Sequence, residues 1–290
     1  MKAWEAISSL GHYLETVAFI SENWKKKADE ELWFRAKDER HYPTRLQPGL
    51  YRSREGIGPR KSVQQLLSLE YELYEEFGRC AAQLSPSNAA TIDEEWDSYF
   101  LMQHHGVPTR LLDLTDGALI CLHFAIREKP LVPITDSFVY VLDPYWLIDL
   151  LDSHLDRARA IGRWKKYCRK RTQKDRDEDD WERLYLPFGP DDPHRPLEDM
   201  PEIPILWDSA HLTRRIAAQR SRFLIFGTDL EFLTKVETQP ESRLDSIRIE
   251  KGVIPRIRQE LRAAGITESV VYPDLDGLGR ELRQQWELER

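Results

Sequence analysis

Residues 103–125, QHHGVPTRLLDLTDGALICLHFA, constrain the fold more than any other part of the chain. They read as turn, strand and apolar helix without a break, and they crowd His104, His105, Thr109, Arg110, Asp113 and Thr115 against Leu111 and Leu112. Polar groups pressed into apolar surroundings must find hydrogen-bond partners. A plain core helix would not carry them, so this stretch is the expected active or ligand site. Gly106 and Pro108 make residues 104–108 a turn, 110–114 fit a short strand, and 116–127 continue as a helix capped by Asp116 or Thr115.

Periodicity organises the rest. Residues 8–26 read as an amphipathic helix packing as a lid, 63–84 as a long half-buried helix, and 93–103 as a helix capped by Asp93. Strands are expected at 32–35, 137–142, 222–227, 246–249 and 270–272, with helices over 145–161, over 256–264 ending at Gly265, and at the end of the chain. Between 163 and 204 the chain turns highly charged, then proline-rich, and reads as an insertion. No fixed-period repeat appears, which argues against a solenoid. The expected fold class is α+β, a mixed and mainly antiparallel sheet of short strands with helices packed around it. Residues 1–31 form an N-terminal helical extension and 32–290 one domain containing the charged insertion.

Composition narrows the functions. With 290 residues and 41% hydrophobic content, the chain can bury a sizeable core. A formal charge of -8 disfavours a nucleic-acid binder driven by global positive charge, although the basic runs at 164–174 and 214–222 leave local binding open. Cys80, Cys121 and Cys168 lie far apart without CxxC spacing, and His104 and His105 lack HExxH spacing, so no metal is expected. No signal peptide or long apolar span is visible, which sets the expectation of a cytoplasmic protein without membrane contact. GxGxxG, GxxxxGK[ST] and GxSxG are all absent. The PDLDGL sequence at 273–278 lacks the glutamate that closes a calcium loop and reads as a helix N-cap.

Four segments carry a family resemblance: WFRAKD at 33–38 with YPTRLQPGLYR at 42–52, the 103–125 stretch, IAAQRSRFLIFG at 216–227, and GITESVVYPDLDGLGREL at 265–282. Together they resemble the FRG domain family, named for a Phe-Arg-Gly signature, over residues 32–282. Ala36 stands where the family usually has Gly, and Ser221 replaces another small Gly position.

Arg35, at a strand end beside Trp33 and Phe34, can present a fixed cationic fork to phosphate or carboxylate, or serve a structural ion pair. Asp113 can hold an arginine, orient a hydroxyl or cap the next helix. Thr109 and Thr115 offer hydroxyls for ribose or phosphate, or for turns. His104 or His105 can act as general acid or base, or bond a backbone carbonyl. Gln219 can read a base edge or a nicotinamide amide, or satisfy local backbone.

Arg35, a mid-chain hydroxyl at Thr115 and the late amide of Gln219 occur in the order that ADP-ribosyltransferases use for an early arginine, a middle hydroxyl and a late Glu or Gln. By that analogy the expected catalytic set is Arg35, Asp113, Thr115 and Gln219, the ligand-binding set is His104, His105, Thr109, Arg110 and Tyr51, and the expected substrate is NAD. The expected activity is ADP-ribose transfer to a macromolecule or NAD hydrolysis, in phage or mobile-element conflict. A non-catalytic nucleotide- or nucleic-acid-binding module is the alternative.

Overall fold

Alternation along the strands sets the architecture. In β3 (Ser137–Leu142), Val139 and Val141 enter one apolar cluster while Tyr140 and Leu142 enter another, as successive side chains on opposite faces of a sheet must. The structure is a computed structural model and describes residues 6–27, 29–38, 46–52, 61–84, 95–130, 132–154, 185–189, 201–207 and 213–286. The remaining strands are β1 (Trp33–Asp38), β2 (Leu111–Thr115), β4 (Ile205–Trp207), β5 (Ser221–Ile225) and β6 (Leu244–Ile249). They form one six-stranded antiparallel sheet in the order β4-β5-β2-β1-β3-β6. With the helices around it, the fold is α+β.

One face packs against α5 (Pro144–His154) through Leu147, Ile148 and Leu151, and against the short 3-10 turn Gly49–Tyr51. The other face carries two clusters. Over β2, β5 and β4 lies α3 (Glu95–His104), whose Tyr99, Phe100 and Met102 meet Leu111, Phe223 and Ile225. Over β1, β3 and β6 lie α1 (Leu10–Asn23), α4 (Ala118–Ile126) and α8 (Ile254–Ala263). The helix expected as a lid is therefore part of the core, with Tyr13 and Ile20 buried in that cluster. The helices α2 (Val63–Leu84), α6 (Arg214–Ala218), α7 (Phe232–Glu237), α9 (Glu268–Val271) and α10 (Leu275–Gln285) complete the described α-helices. No helix among the described residues is long and apolar enough to cross a membrane.

Several expectations change. The helix after β2 starts at Ala118 with Gly117 as cap and no side-chain cap bond. Asp116 is instead held by Arg222 at 2.5 Å and by Arg220, while Thr115 Oγ1 accepts the Gly117 N–H at 3.0 Å. Residues 270–272 are not a strand. The Val271 and Tyr272 N–H groups donate to Thr267 and Glu268 carbonyls at 3.1 and 2.8 Å, closing the helical turn α9 on a buried Glu268. The β-branched pair there fits a buried helical turn as well as a strand, so composition could not separate the two. Within the expected insertion, Tyr185 and Leu186 are core residues beside α3, and the unanticipated β4 follows it. Cys168, the Asp93 cap, the basic run at 164–174 and the helix beyond residue 154 fall outside the described residues. The turn at 104–108 forms as expected, with Gly106 at φ 82, where glycine alone is unstrained, and its N–H on the Gln103 carbonyl at 2.9 Å. Asp274 caps α10 by accepting the Gly277 N–H at 2.7 Å.

Candidate functional site

The sheet parts at its centre. β1 and β3 pair from Trp33↔Leu142 through Asp38↔Ser137, and β2 and β5 from Leu111↔Ile225 through Thr115↔Ser221. β1 and β2 pair only at Phe34↔Thr115. Past that point the Asp113 carbonyl, on the β2 edge toward β1, accepts from the Arg35 side chain, with Nη1 at 2.5 Å. A guanidinium thus occupies the place of a ladder N–H.

Charge gathers at this gap. Arg35 and Lys37 stand at alternate positions of β1 and so leave the same face of the strand. Arg52, which follows the Gly49–Tyr51 turn, is close enough to disfavour the charged forms of both Arg35 and Lys37. Burial, with Arg52 next, brings Arg35 down to about 9. Burial, then Arg35 and Arg52, bring Lys37 down to about 6. Burial also lowers Arg52, against the pull of Asp113. Asp113 opposes the lowering of all three.

Asp113 is the exposed member of an otherwise buried central strand. Gln103 at the end of α3 orients it, Nε2 donating to Asp113 Oδ2 at 2.7 Å, while Gln103 Oε1 accepts from Thr109 Oγ1 at 2.6 Å. The carboxylate is therefore fixed from the helix side and open toward solvent.

Two residues along on the same face, Thr115 Oγ1 donates to the Gln219 carbonyl at 2.7 Å. Gln219 caps the C-terminus of α6, and its Nε2 donates to the Val271 carbonyl at 3.3 Å. Arg35 thus reaches β2 through the Asp113 backbone, while the Asp113 and Thr115 side chains leave the opposite sheet face, where Thr115 joins Gln219. His104, half-buried, lies near Arg215 and Asp274. Burial, then Arg215 and His105, hold its imidazole down at about 4, against Asp274. His104 is therefore neutral at pH 7. Its exposed neighbour His105 faces Phe77, ring centroids 6.3 Å apart. Behind them, the Tyr272 ring is flanked by the guanidinium carbons of Arg127, Arg215 and Arg280 at 4.3, 4.6 and 4.8 Å.

Three other expected ligand residues are buried and serve the scaffold. Arg110 is 1% exposed: Nε binds Glu70 Oε2 at 2.5 Å, Nη1 donates to the Phe226 carbonyl at 3.1 Å, and Nη2 to the Tyr185 carbonyl at 2.6 Å. Thr109 is fully buried, its hydroxyl engaged by Gln103 and by the Leu111 N–H. Tyr51 is buried and donates to the Gly227 carbonyl at 2.7 Å. These three build the scaffold under the site. Ala36 packs against the α1/α4 cluster, so no bare backbone is needed there.

Lys37, Arg52 and Gln103 escaped the sequence reading. Lys37 carried a signal, since it lies two residues from Arg35 in a strand. Arg52 and Gln103 carried none, because their approach depends on the turn after Pro48 and on where α3 ends. Among the described residues no group of three or more His, Cys, Asp or Glu side chains could hold a metal ion.

No curated protein and no solved structure matches the chain. Residues 30–131 match the family model described as FRG domain. That span runs from just before β1 to just past α4 and holds Arg35, Lys37, Arg52, Gln103 and Asp113, so the chain carries an FRG domain with the central gap of its sheet inside it.

Proposed function

We propose that this chain is an ADP-ribosyltransferase-like enzyme that takes NAD as substrate and transfers ADP-ribose to a macromolecule or to water. The observation that carries the reading is the gap between β1 and β2, where Arg35, Lys37 and Arg52 gather on one side of the sheet, each feeling the charge of Asp113, an exposed carboxylate that leaves β2 on the other side. Excess positive charge at an opening in a sheet suits a pyrophosphate, and a guanidinium fixed at 2.5 Å on backbone is organised before the ligand arrives. Asp113, held by Gln103, supplies negative charge for a ribose that becomes oxocarbenium-like. In the step itself the bond from the anomeric carbon to the nicotinamide nitrogen breaks, its electron pair leaving with nicotinamide. The acceptor's nucleophilic atom bonds that carbon and gives its proton to Asp113.

A second reading, a nucleotide-binding module without turnover, is favoured by Thr115 and Gln219. Both side chains donate to backbone carbonyls, which is what a turn and a helix cap require of them.

Purified protein incubated with labelled NAD and cell extract separates the two. Transfer of label, or release of nicotinamide, that disappears in Arg35→Ala and Asp113→Asn supports the enzyme. Saturable NAD binding with neither product supports the binding module, and no NAD binding removes both.

A further inference from the structure

We infer that Lys37 and Arg52, with Arg35 beneath them, form a cradle for the doubly charged pyrophosphate of a dinucleotide-type diester, and that Lys37 takes up a proton when this dianion binds. The inference rests on the NAD reading only for the choice of a pyrophosphate diester as ligand.

The geometry supplies the site. Lys37, paired with Phe138 of β3, lies past the single β1–β2 pair, and its amine makes no hydrogen bond or ion pair among the described residues. Arg52 donates through Nε to the Gln47 carbonyl at 3.0 Å, which directs the fork while its two terminal nitrogens make no hydrogen bond among the described residues. Arg35 is held on the Asp113 carbonyl and fixes the floor.

The charged groups that face Lys37 are Arg35 on its own strand, Arg52 after the 3-10 turn, Asp113 on β2 and Glu128 beyond α4. Burial and the two arginines outweigh the two carboxylates, leaving the amine at about 6. The free site therefore holds Lys37 neutral at pH 7, which lessens repulsion among three cations in one place. A bound dianion reverses the balance by stabilising the ammonium form. The cradle takes its full positive charge when the ligand is there to share it.

The test is calorimetric titration with ADP-ribose, whose two pyrophosphate charges stay constant between pH 5 and 9, in two buffers of different ionisation enthalpy. Binding at pH 8 is expected to take up about one proton, and binding at pH 5 roughly none. Affinity should fall about tenfold between pH 7 and 8 and level off below about 6. Lys37→Arg, permanently charged, should keep binding while losing the proton uptake. Lys37→Met should lose the uptake and weaken binding at pH 6 by about tenfold or more. Proton uptake that persists in Lys37→Met, or an ADP-ribose affinity indifferent to pH and to both variants, overturns the cradle. So does an absence of binding by folded wild-type protein, judged by circular dichroism. NAD turnover distinguishes the two proposals: turnover without proton linkage removes only the cradle, and proton-linked ADP-ribose binding without turnover removes only the enzyme.

Discussion

Glu70 and Arg110 form a fully enclosed ion pair, Nε to Oε2 at 2.5 Å, with side chains 0% and 1% exposed. The other Glu70 oxygen accepts from the Arg110 backbone N–H at 2.7 Å and from the Tyr99 hydroxyl. Burial alone would lower the Arg110 guanidinium, but Glu70 outweighs it and raises the group. Every part of this arginine has a partner, so its work is to join α2, α3 and the segment at Tyr185 to the sheet. Removing one partner leaves an unpaired buried charge. Glu70→Ala should therefore cost about 3–5 kcal/mol in urea unfolding. A loss below about 1 kcal/mol would show that Arg110 relaxes to solvent or to a ligand.

Asp113→Asn addresses the opposite kind of residue. Its side chain is exposed on a central strand, and an amide can still bond Gln103, so stability should stay within about 0.5 kcal/mol of wild type. Nicotinamide release should fall by about a hundredfold or more, as when a preorganised charge is removed from a transition state. Parallel melting and turnover assays check both halves, and unchanged turnover would remove Asp113 from the chemistry.

Glu268 should make stability fall steeply in acid. Burial would raise its carboxyl, but hydrogen bonds from His123, Arg280 and Arg127 outweigh that and hold it at about 2, against an ordinary 4.5. A depressed carboxyl stabilises the fold above its unfolded value, and that contribution disappears as pH falls from about 4.5 toward 2. Allowing for solvent screening, roughly 2 kcal/mol should be lost across this window. Urea midpoints measured between pH 6 and 2.5 should show the slope in wild type and a shallower one in Glu268→Gln.

Gly227 is a steric test of the scaffold below the site. A Cβ there would stand 2.0 Å from the Pro201 carbonyl oxygen, a backbone atom that cannot swing aside. The same residue's carbonyl accepts the Tyr51 hydroxyl, so Gly227→Ala should shift both segments. The expected cost is about 1–3 kcal/mol by thermal unfolding. A neutral result would mean that the 201–202 backbone adapts freely.

Local pattern carried much of the fold. The bounds of α2 and β3 coincide with the expected 63–84 and 137–142, because an unbroken apolar period and a β-branched run leave few alternatives. The 103–125 stretch likewise became turn, strand and helix in the expected order. Arg35, Asp113, Thr115 and Gln219 were legible as polar residues in apolar settings, and they fall in two contacts, Arg35 on the Asp113 backbone and Thr115 on the Gln219 backbone. What local pattern could not say was which of them had partners. Arg110 looked as available as Arg35 because Glu70, its counter-ion, lies 40 residues earlier on the apolar side of α2 among Leu67, Leu73 and Tyr74. A lone acid on an apolar helical stripe is a signal that a buried cation awaits it. Lys37 and Arg52 become part of the site only because β1 and β2 separate after one pair, and strand separation is a tertiary property.

The pairing of β1 and β2 at one position also decides what can be cut from this molecule. Residues 30–131 contain both strands, yet the long ladder of β1 is with β3 and that of β2 is with β5, each outside those bounds. Excised alone, the fragment would hold two strands that barely touch each other and two bare backbone edges seeking partners. Such a piece should associate edge to edge and fall out of solution, so the smallest foldable unit extends well past residues 30–131.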